Sequence, residues 1–131
     1  MNAVAQVPKV FVIDDDASIR ELLGWLMKRN SIAFETFADA RSFLAAYVPG
    51  TPGCLVLDLY MPGMNGFELA EAIRADARCA QIPIIALSSI TSPATIERGR
   101  QAGFHDFVAK FDRQGLIAAL KESTVEFAEA A

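Results

Sequence analysis

Val10-Phe11-Val12-Ile13-Asp14-Asp15-Asp16 runs four apolar residues straight into three carboxylates. The run is too short for a helix, rich in β-branched residues and apolar at every position, so both of its faces must be covered. That is the pattern of a parallel strand buried between two layers of helices, with the acidic residues at its carboxyl end. Four more runs share this character: Ile32-Ala33-Phe34, Cys54-Leu55-Val56-Leu57, Ile82-Pro83-Ile84-Ile85-Ala86-Leu87 and Phe107-Val108-Ala109.

Amphipathic stretches separate the runs. Ile19, Leu22, Leu23, Leu26 and Met27 fall on one face of a first helix. Ala38 to Val48 predicts a second, ended by Pro49-Gly50-Thr51-Pro52-Gly53. A third begins at Asn65 or Gly66, with Phe67, Ala70 and Ile73 inward. Ser92-Pro93 predicts the N-cap and first turn of a fourth, closing at Gly103 on a thin apolar stripe of Ile96 and Ala102 that predicts weak docking. The fifth starts near Asp112 and turns Leu116, Ile117, Leu120 and Phe127 to the core. Strict alternation of strand and helix predicts an α/β fold, a five-stranded parallel sheet with helices on both faces.

At 131 residues, 53% hydrophobic, the chain is one ordinary domain with ample material for a core. A net charge of −4 gives no electrostatic reason to expect nucleic acid or an anionic membrane as partner, since both need clustered Lys and Arg. Met1 to Lys9 lacks the pattern of a secretory signal, and no apolar run approaches the ~20 residues that span a bilayer. Cys54 and Cys79 lack metal-ligand spacing. Cys54 reads as a small buried residue and Cys79 as a free thiol in a loop, so the expected setting is the reduced cytoplasm. Residues 9–124 are expected to form the domain, with 1–8 and 125–131 as flexible termini.

In such a sheet the site lies beyond the carboxyl ends of the strands. Four of those five ends carry chemistry: Asp14-Asp15-Asp16 after the first, Asp58 after the third, Ser88 after the fourth and Lys110 after the fifth. Carboxylates that converge need a cation, and Mg²⁺ suits an all-oxygen set that leaves positions for water. Asp15 and Asp58 are candidate direct ligands, Asp14 a ligand through water, and the Tyr60 carbonyl a further oxygen. Lys110 and Ser88 would face phosphoryl oxygens, as point charge and hydroxyl donor. The set describes phosphoryl transfer onto a carboxylate nucleophile. Each residue alone has a plainer reading: Asp15 or Asp16 as N-cap, Asp58 and Ser88 as turn residues, Lys110 as a solvated charge. The joint placement at four strand ends carries the argument.

These residues resemble the receiver domain of two-component response regulators. The resemblance covers Lys9 to about Ser123 and is most specific over Leu55-Val56-Leu57-Asp58-Leu59-Tyr60-Met61-Pro62-Gly63-Met64-Asn65-Gly66. It implies a flavodoxin-like receiver fold with strand order 2-1-3-4-5. Asp58 would accept a phosphoryl group from a sensor histidine kinase or histidine phosphotransfer protein, with Asp14 and Asp15 holding Mg²⁺ and Lys110 contacting the phosphate. Ser88 would be the switch hydroxyl and Phe107 the switch aromatic, turning inward as the hydroxyl moves. The face built by the fourth helix, fifth strand and fifth helix would then engage a separate effector protein. A homodimer through that face stays open, and the chain reads as a stand-alone receiver or as a piece of a longer protein.

One position departs from the pattern. Phe111 stands where the family has a proline after a cis bond; a cis bond without proline costs ~3–4 kcal/mol, so Lys110–Phe111 is expected trans. Phe111 is expected to pack under the last helix, with a partner contact at the edge of the output face as the alternative. Tyr60 and Ile90, each two residues past a site residue, are bulky and predict slow self-hydrolysis of the acyl phosphate. Trp25 lies off the core stripe and is expected to be partly exposed. Two rivals remain. A haloacid-dehalogenase-type phosphatase would use Asp14 as nucleophile and Asp16 as acid–base, but leaves Asp58 to Gly66 unexplained. A receiver-like module could also bind a partner without phosphorylation.

Overall fold

The computed structural model describes residues 8–89, 92–110 and 112–130, with side chains through Glu122. Elements alternate throughout: β1 (Lys9–Ile13), α1 (Ala17–Arg29), β2 (Phe34–Phe37), α2 (Ala40–Ala46), β3 (Gly53–Asp58), α3 (Gly66–Ala75), β4 (Ile84–Ser88), α4 (Pro93–Gln101), β5 (Asp106–Ala109) and α5 (Arg113–Ala130). The strands form one parallel sheet in the order β2-β1-β3-β4-β5, as the resemblance implied.

The period-2 alternation of a strand sends successive side chains to opposite faces. Phe11 and Ile13 of β1 join Leu55 and Leu57 of β3 in a core with Phe43 of α2 and Phe67 and Leu69 of α3. Val10 and Val12 join Cys54 and Val56 in a second core with Leu23 and Met27 of α1 and Leu116 and Leu120 of α5. Both cores are built of buried apolar side chains, which is why β1, β3 and β4 read as unbroken apolar runs.

Caps set several helix starts. Asp16 accepts from Ser18 N and Ile19 N, and Asp39 from Ser42 N, so α2 begins later than the sequence pattern suggested. Asn65 and Glu68 form a reciprocal capping box at α3, at 2.9 and 3.1 Å.

Three elements differ from expectation. The second strand lies at Phe34–Phe37, not Ile32–Phe34, because Ser31 takes φ 56° and Ile32 N bonds to Met27 O at 2.9 Å. Those residues are spent on leaving α1 and lie outside the sheet. In α4 the buried residues are Thr95 and Gly99, whereas Ile96 and Ala102 are only half-buried. The aromatic rings of Phe104 and Phe107 fill the space beneath, so the helix approaches with its smaller side chains. Helix α5 continues to Ala130, through most of the stretch expected to be a loose tail. Residues 1–7, Ile90, Phe111 with its peptide geometry, and the side chain of Phe127 lie outside the described residues.

Trp25 is 51% exposed and carries the Arg29 guanidinium 4.7 Å from its ring centroid, as a residue off the core stripe should. Cys54 and Cys79 are both buried and neither forms a disulfide; burial pushes the Cys79 thiol above its usual pKa. Among the described residues, no helix is long and apolar enough to cross a membrane.

Candidate phosphoryl-transfer site

The parallel register delivers four strand ends to one edge. Asp58 pairs with Leu87 and Ser88 with Ala109, so Lys110 emerges beside Ser88, and its backbone N donates to Ser88 O at 3.1 Å. Beyond Ile13, β1 delivers Asp14 next to β3, since Ile13 pairs with Leu57. The backbone geometry of four strands thus holds together groups that lie far apart in the chain.

The Lys110 ammonium sits between two buried carboxylates, 3.2 Å from Asp14 Oδ2 and 3.3 Å from Asp58 Oδ2. Asp15 is exposed, yet one oxygen each from Asp14, Asp15 and Asp58 lie within 4.8 Å of one another. Asp14 Oδ1 accepts from Asp16 N at 2.9 Å, while Oδ2, fully buried, has an ion pair but no hydrogen bond. A buried carboxylate oxygen without a donor is costly. A hard cation among these three carboxylates would satisfy it, so the residues fit a divalent metal that prefers oxygen.

Electrostatics agree with the geometry. Burial first, and the Asp14 charge second, push the Asp58 carboxyl up to about 6, against the opposing pull of Lys110 and the Tyr60 N–H. For Lys110, burial acts to lower the pKa, but the attraction of Asp14 and Asp58 outweighs it and holds the ammonium above its ordinary range. A carboxyl pushed up and a cation held charged beside it suit a site that receives further negative charge.

Ser88 is buried at the end of β4. The Tyr60 main chain meets the site through its N–H, which donates to Asp58 Oδ1 at 3.3 Å. The Tyr60 ring is 47% exposed, packs edge-on to Phe67 with centroids 6.1 Å apart, and brings its hydroxyl within 3.5 Å of Thr95 Oγ1. Phe107 is half-buried and meets Phe104 edge-on at 5.6 Å. Asp16 Oδ1 accepts from Ser18 N and Ile19 N and so caps α1, the plainer role the sequence offered for it.

Sequence reasoning missed three contributors. Arg20 Nη1 donates to Asp14 O at 2.8 Å and so fixes the loop that aims the acidic pair. Gly66 abuts Asp58: a Cβ there would lie 2.5 Å from Asp58 O and 2.9 Å from Leu59 Cα. Thr95 is a buried hydroxyl on α4 linked to Tyr60. Only Gly66, as part of the quoted 55–66 stretch, carried any signal.

Comparison with known proteins agrees with this arrangement. A family model described as the response regulator receiver domain matches residues 10–121. The chain is 37% identical over 112 residues to the transcriptional regulatory protein TdiR of Thauera aromatica, covering 85% of this chain and 48% of that protein. It is 36% identical over 121 residues to the transcriptional regulatory protein FixJ of Azorhizobium caulinodans, covering 92% and 56%. The chain spans about half the length of these curated relatives. Among solved structures it is similar to the response regulator StyR, with TM-score 0.85 and 38% identity over 95% of this chain and 63% of that one. It is also similar to the chemotaxis response regulator CheY4 of Vibrio cholerae, with TM-score 0.78 and 29% identity over 90% and 99%.

Proposed function

The chain belongs to the response regulator receiver domain family, and from that premise we propose that Asp58 is its phosphoacceptor. The observation that carries the reading is the Lys110 ammonium held 3.2 and 3.3 Å from two buried carboxylates with a third alongside. An Asp58 oxygen attacks the phosphorus of a phosphohistidine; the P–N bond breaks as the O–P bond forms, and the imidazole leaves with a proton. Lys110 balances negative charge on one phosphoryl oxygen, and the Ser88 hydroxyl donates to another. Mg²⁺ held by Asp14, Asp15, Asp58 and the Tyr60 carbonyl would neutralise charge on the transferring group and orient it. Ser88, drawn toward the phosphoryl group, vacates space into which Phe107 turns, and the face made of α4, β5 and α5 changes shape.

The donor on this reading is a sensor histidine kinase or a histidine phosphotransfer protein in the cytoplasm, and the effector is a protein that reads the α4–β5–α5 face. Contact with proteins rather than nucleic acid agrees with a net charge of −4. The test is intact mass after incubation with acetyl phosphate and Mg²⁺. A single phosphoryl adduct is expected on the wild type, absent from Asp58→Asn and from a Mg²⁺-free control. No adduct, even from a phosphorylated phosphotransfer donor, would leave a phosphorylation-independent module; an adduct surviving Asp58→Asn would move the nucleophile elsewhere.

A further inference from the structure

Helix α4 buries only two of its residues, Thr95 and Gly99. Gly99 is not placed for its backbone, because the glycines at positive φ among the described residues are Gly50, Gly63 and Gly103. In a helix interior glycine weakens the helix relative to alanine, so some other requirement keeps a side chain out. That requirement is space. A Cβ at Gly99 would overlap Cζ and Cε2 of Phe107 and would lie 2.7 Å from Cδ2 of Phe104.

The ring seated there belongs to a continuous aromatic run beneath α4. Phe107 meets Phe104 edge-on at 5.6 Å, Phe104 meets Phe67 at 5.8 Å, and Phe67 meets Tyr60 at 6.1 Å. Arg98, on α4 itself, places its guanidinium 4.0 Å from the Phe67 centroid. The first turn of the helix is tied to the same run through Thr95, whose hydroxyl lies 3.5 Å from the Tyr60 hydroxyl and 3.0 Å from Ser92 Oγ.

We propose that Gly99 is a slot cut into α4 for the Phe107 ring, which ties the position of the helix to the orientation of that ring. With the ring in the slot, α4 rests on Phe107 and Phe104. With the ring turned out, the slot is an apolar void that the helix closes by shifting toward Phe104, because packed interiors do not keep such gaps open. The proposal rests on the receiver reading only for what turns the ring; the contact between ring and helix stands apart from phosphorylation.

The test is a double-mutant cycle with no phosphoryl donor present: Gly99→Ala in the wild type and in Phe107→Ala, each followed by urea unfolding. In the wild-type background the added methyl is expected to lower the folding equilibrium constant at least about fivefold, the usual scale of overpacking. In the Phe107→Ala background the penalty is expected to shrink at least about threefold, because only the Phe104 Cδ2 contact at 2.7 Å remains and that ring can move into the vacated space. Equal effects in both backgrounds would overturn the slot. If Gly99→Ala alone does not fold, rescue by Phe107→Ala supports the proposal and failure in both backgrounds overturns it. The tie to helix position is read separately, from backbone amide NMR shifts in Phe107→Ala. Shifts concentrated in residues 93–101 are expected, and unmoved α4 amides would overturn the tie. A negative acetyl phosphate experiment would count against Asp58 as acceptor and leave both readouts standing.

Discussion

Replacing Lys110 by Met tests the electrostatic account of the site most directly, because methionine keeps the apolar stem and removes the charge. The ammonium faces Asp14 Oδ2 at 3.2 Å and Asp58 Oδ2 at 3.3 Å. Coulomb's law at an effective dielectric of about 20 assigns about 5 kcal/mol to each pair before desolvation. Much of that is returned, since the ammonium regains water when the protein unfolds. Removing one partner of a buried pair costs ~3–5 kcal/mol, and the exposed Asp15 side admits solvent. We therefore expect Lys110→Met to lose about 2–3 kcal/mol near pH 8 in metal-free buffer, just below that range.

The pH dependence follows from the sign of the Asp58 shift. Its carboxyl stands at about 6 in the folded protein, above its ordinary value of 3.8, and Lys110 is one of the groups holding it down. Without the lysine it rises further. A carboxyl raised on folding contributes stability that is complete below its unfolded pKa and is lost as pH rises through the folded value. The variant should thus approach the wild type near pH 5, where its Asp58 carboxyl takes up a proton, and fall away from it near pH 8. Millimolar Mg²⁺ should close the gap at pH 8. It should also bind the variant about three- to tenfold more tightly, because ammonium and metal compete for the same oxygens. Phosphoryl uptake should nevertheless fall about 100-fold or more for loss of a charge donor. Urea unfolding at both pH values, with EDTA and with Mg²⁺, measures all but the last. A gap of one size under all four conditions would show that Lys110 contributes by packing, and the account would fail.

Further consequences can be checked independently. Apparent Mg²⁺ affinity should drop as pH falls below about 6, since Asp58 must shed its proton to ligate; titration calorimetry in two buffers of different ionisation enthalpy should register proton release, and none near pH 6 would refute the raised carboxyl. Gly66→Ala should cost about 1–3 kcal/mol, because its methyl meets Asp58 O and Leu59 Cα, and should slow acetyl phosphate uptake; unchanged kinetics would mean that the β3–α3 turn does not aim Asp58. Arg74 donates to the carbonyls of Ala80 and Ile82 at 2.9 and 2.7 Å and of Gly103 at 2.6 Å. Arg74→Met should cost about 2–4 kcal/mol in thermal or urea unfolding, and a loss below about 1 kcal/mol would show those carbonyls satisfied by water.

What was legible in the sequence divides along a physical line. β1, β3 and β4 are apolar at almost every position because both faces are covered, and that demand writes itself into residue type. The candidate site was legible for the same reason: once the strands are known, their ends are known, and Asp14, Asp58, Ser88 and Lys110 sit at those ends. β2 is an edge strand with Glu35 exposed and its neighbours half-buried, so no unbroken run marks it. Arg20 and Arg74 escaped notice because their partners are main-chain carbonyls, which every residue possesses and no spacing reveals. The α4 interface was misplaced for a further reason. An apolar stripe records only side chains that a helix brings to its partner, whereas Gly99 serves by bringing none, and the rings that fill its place lie at Phe104 and Phe107, beyond the helix. A pattern of hydrophobic side chains finds surfaces that protrude; a surface that receives can be found only from the shape of what it receives.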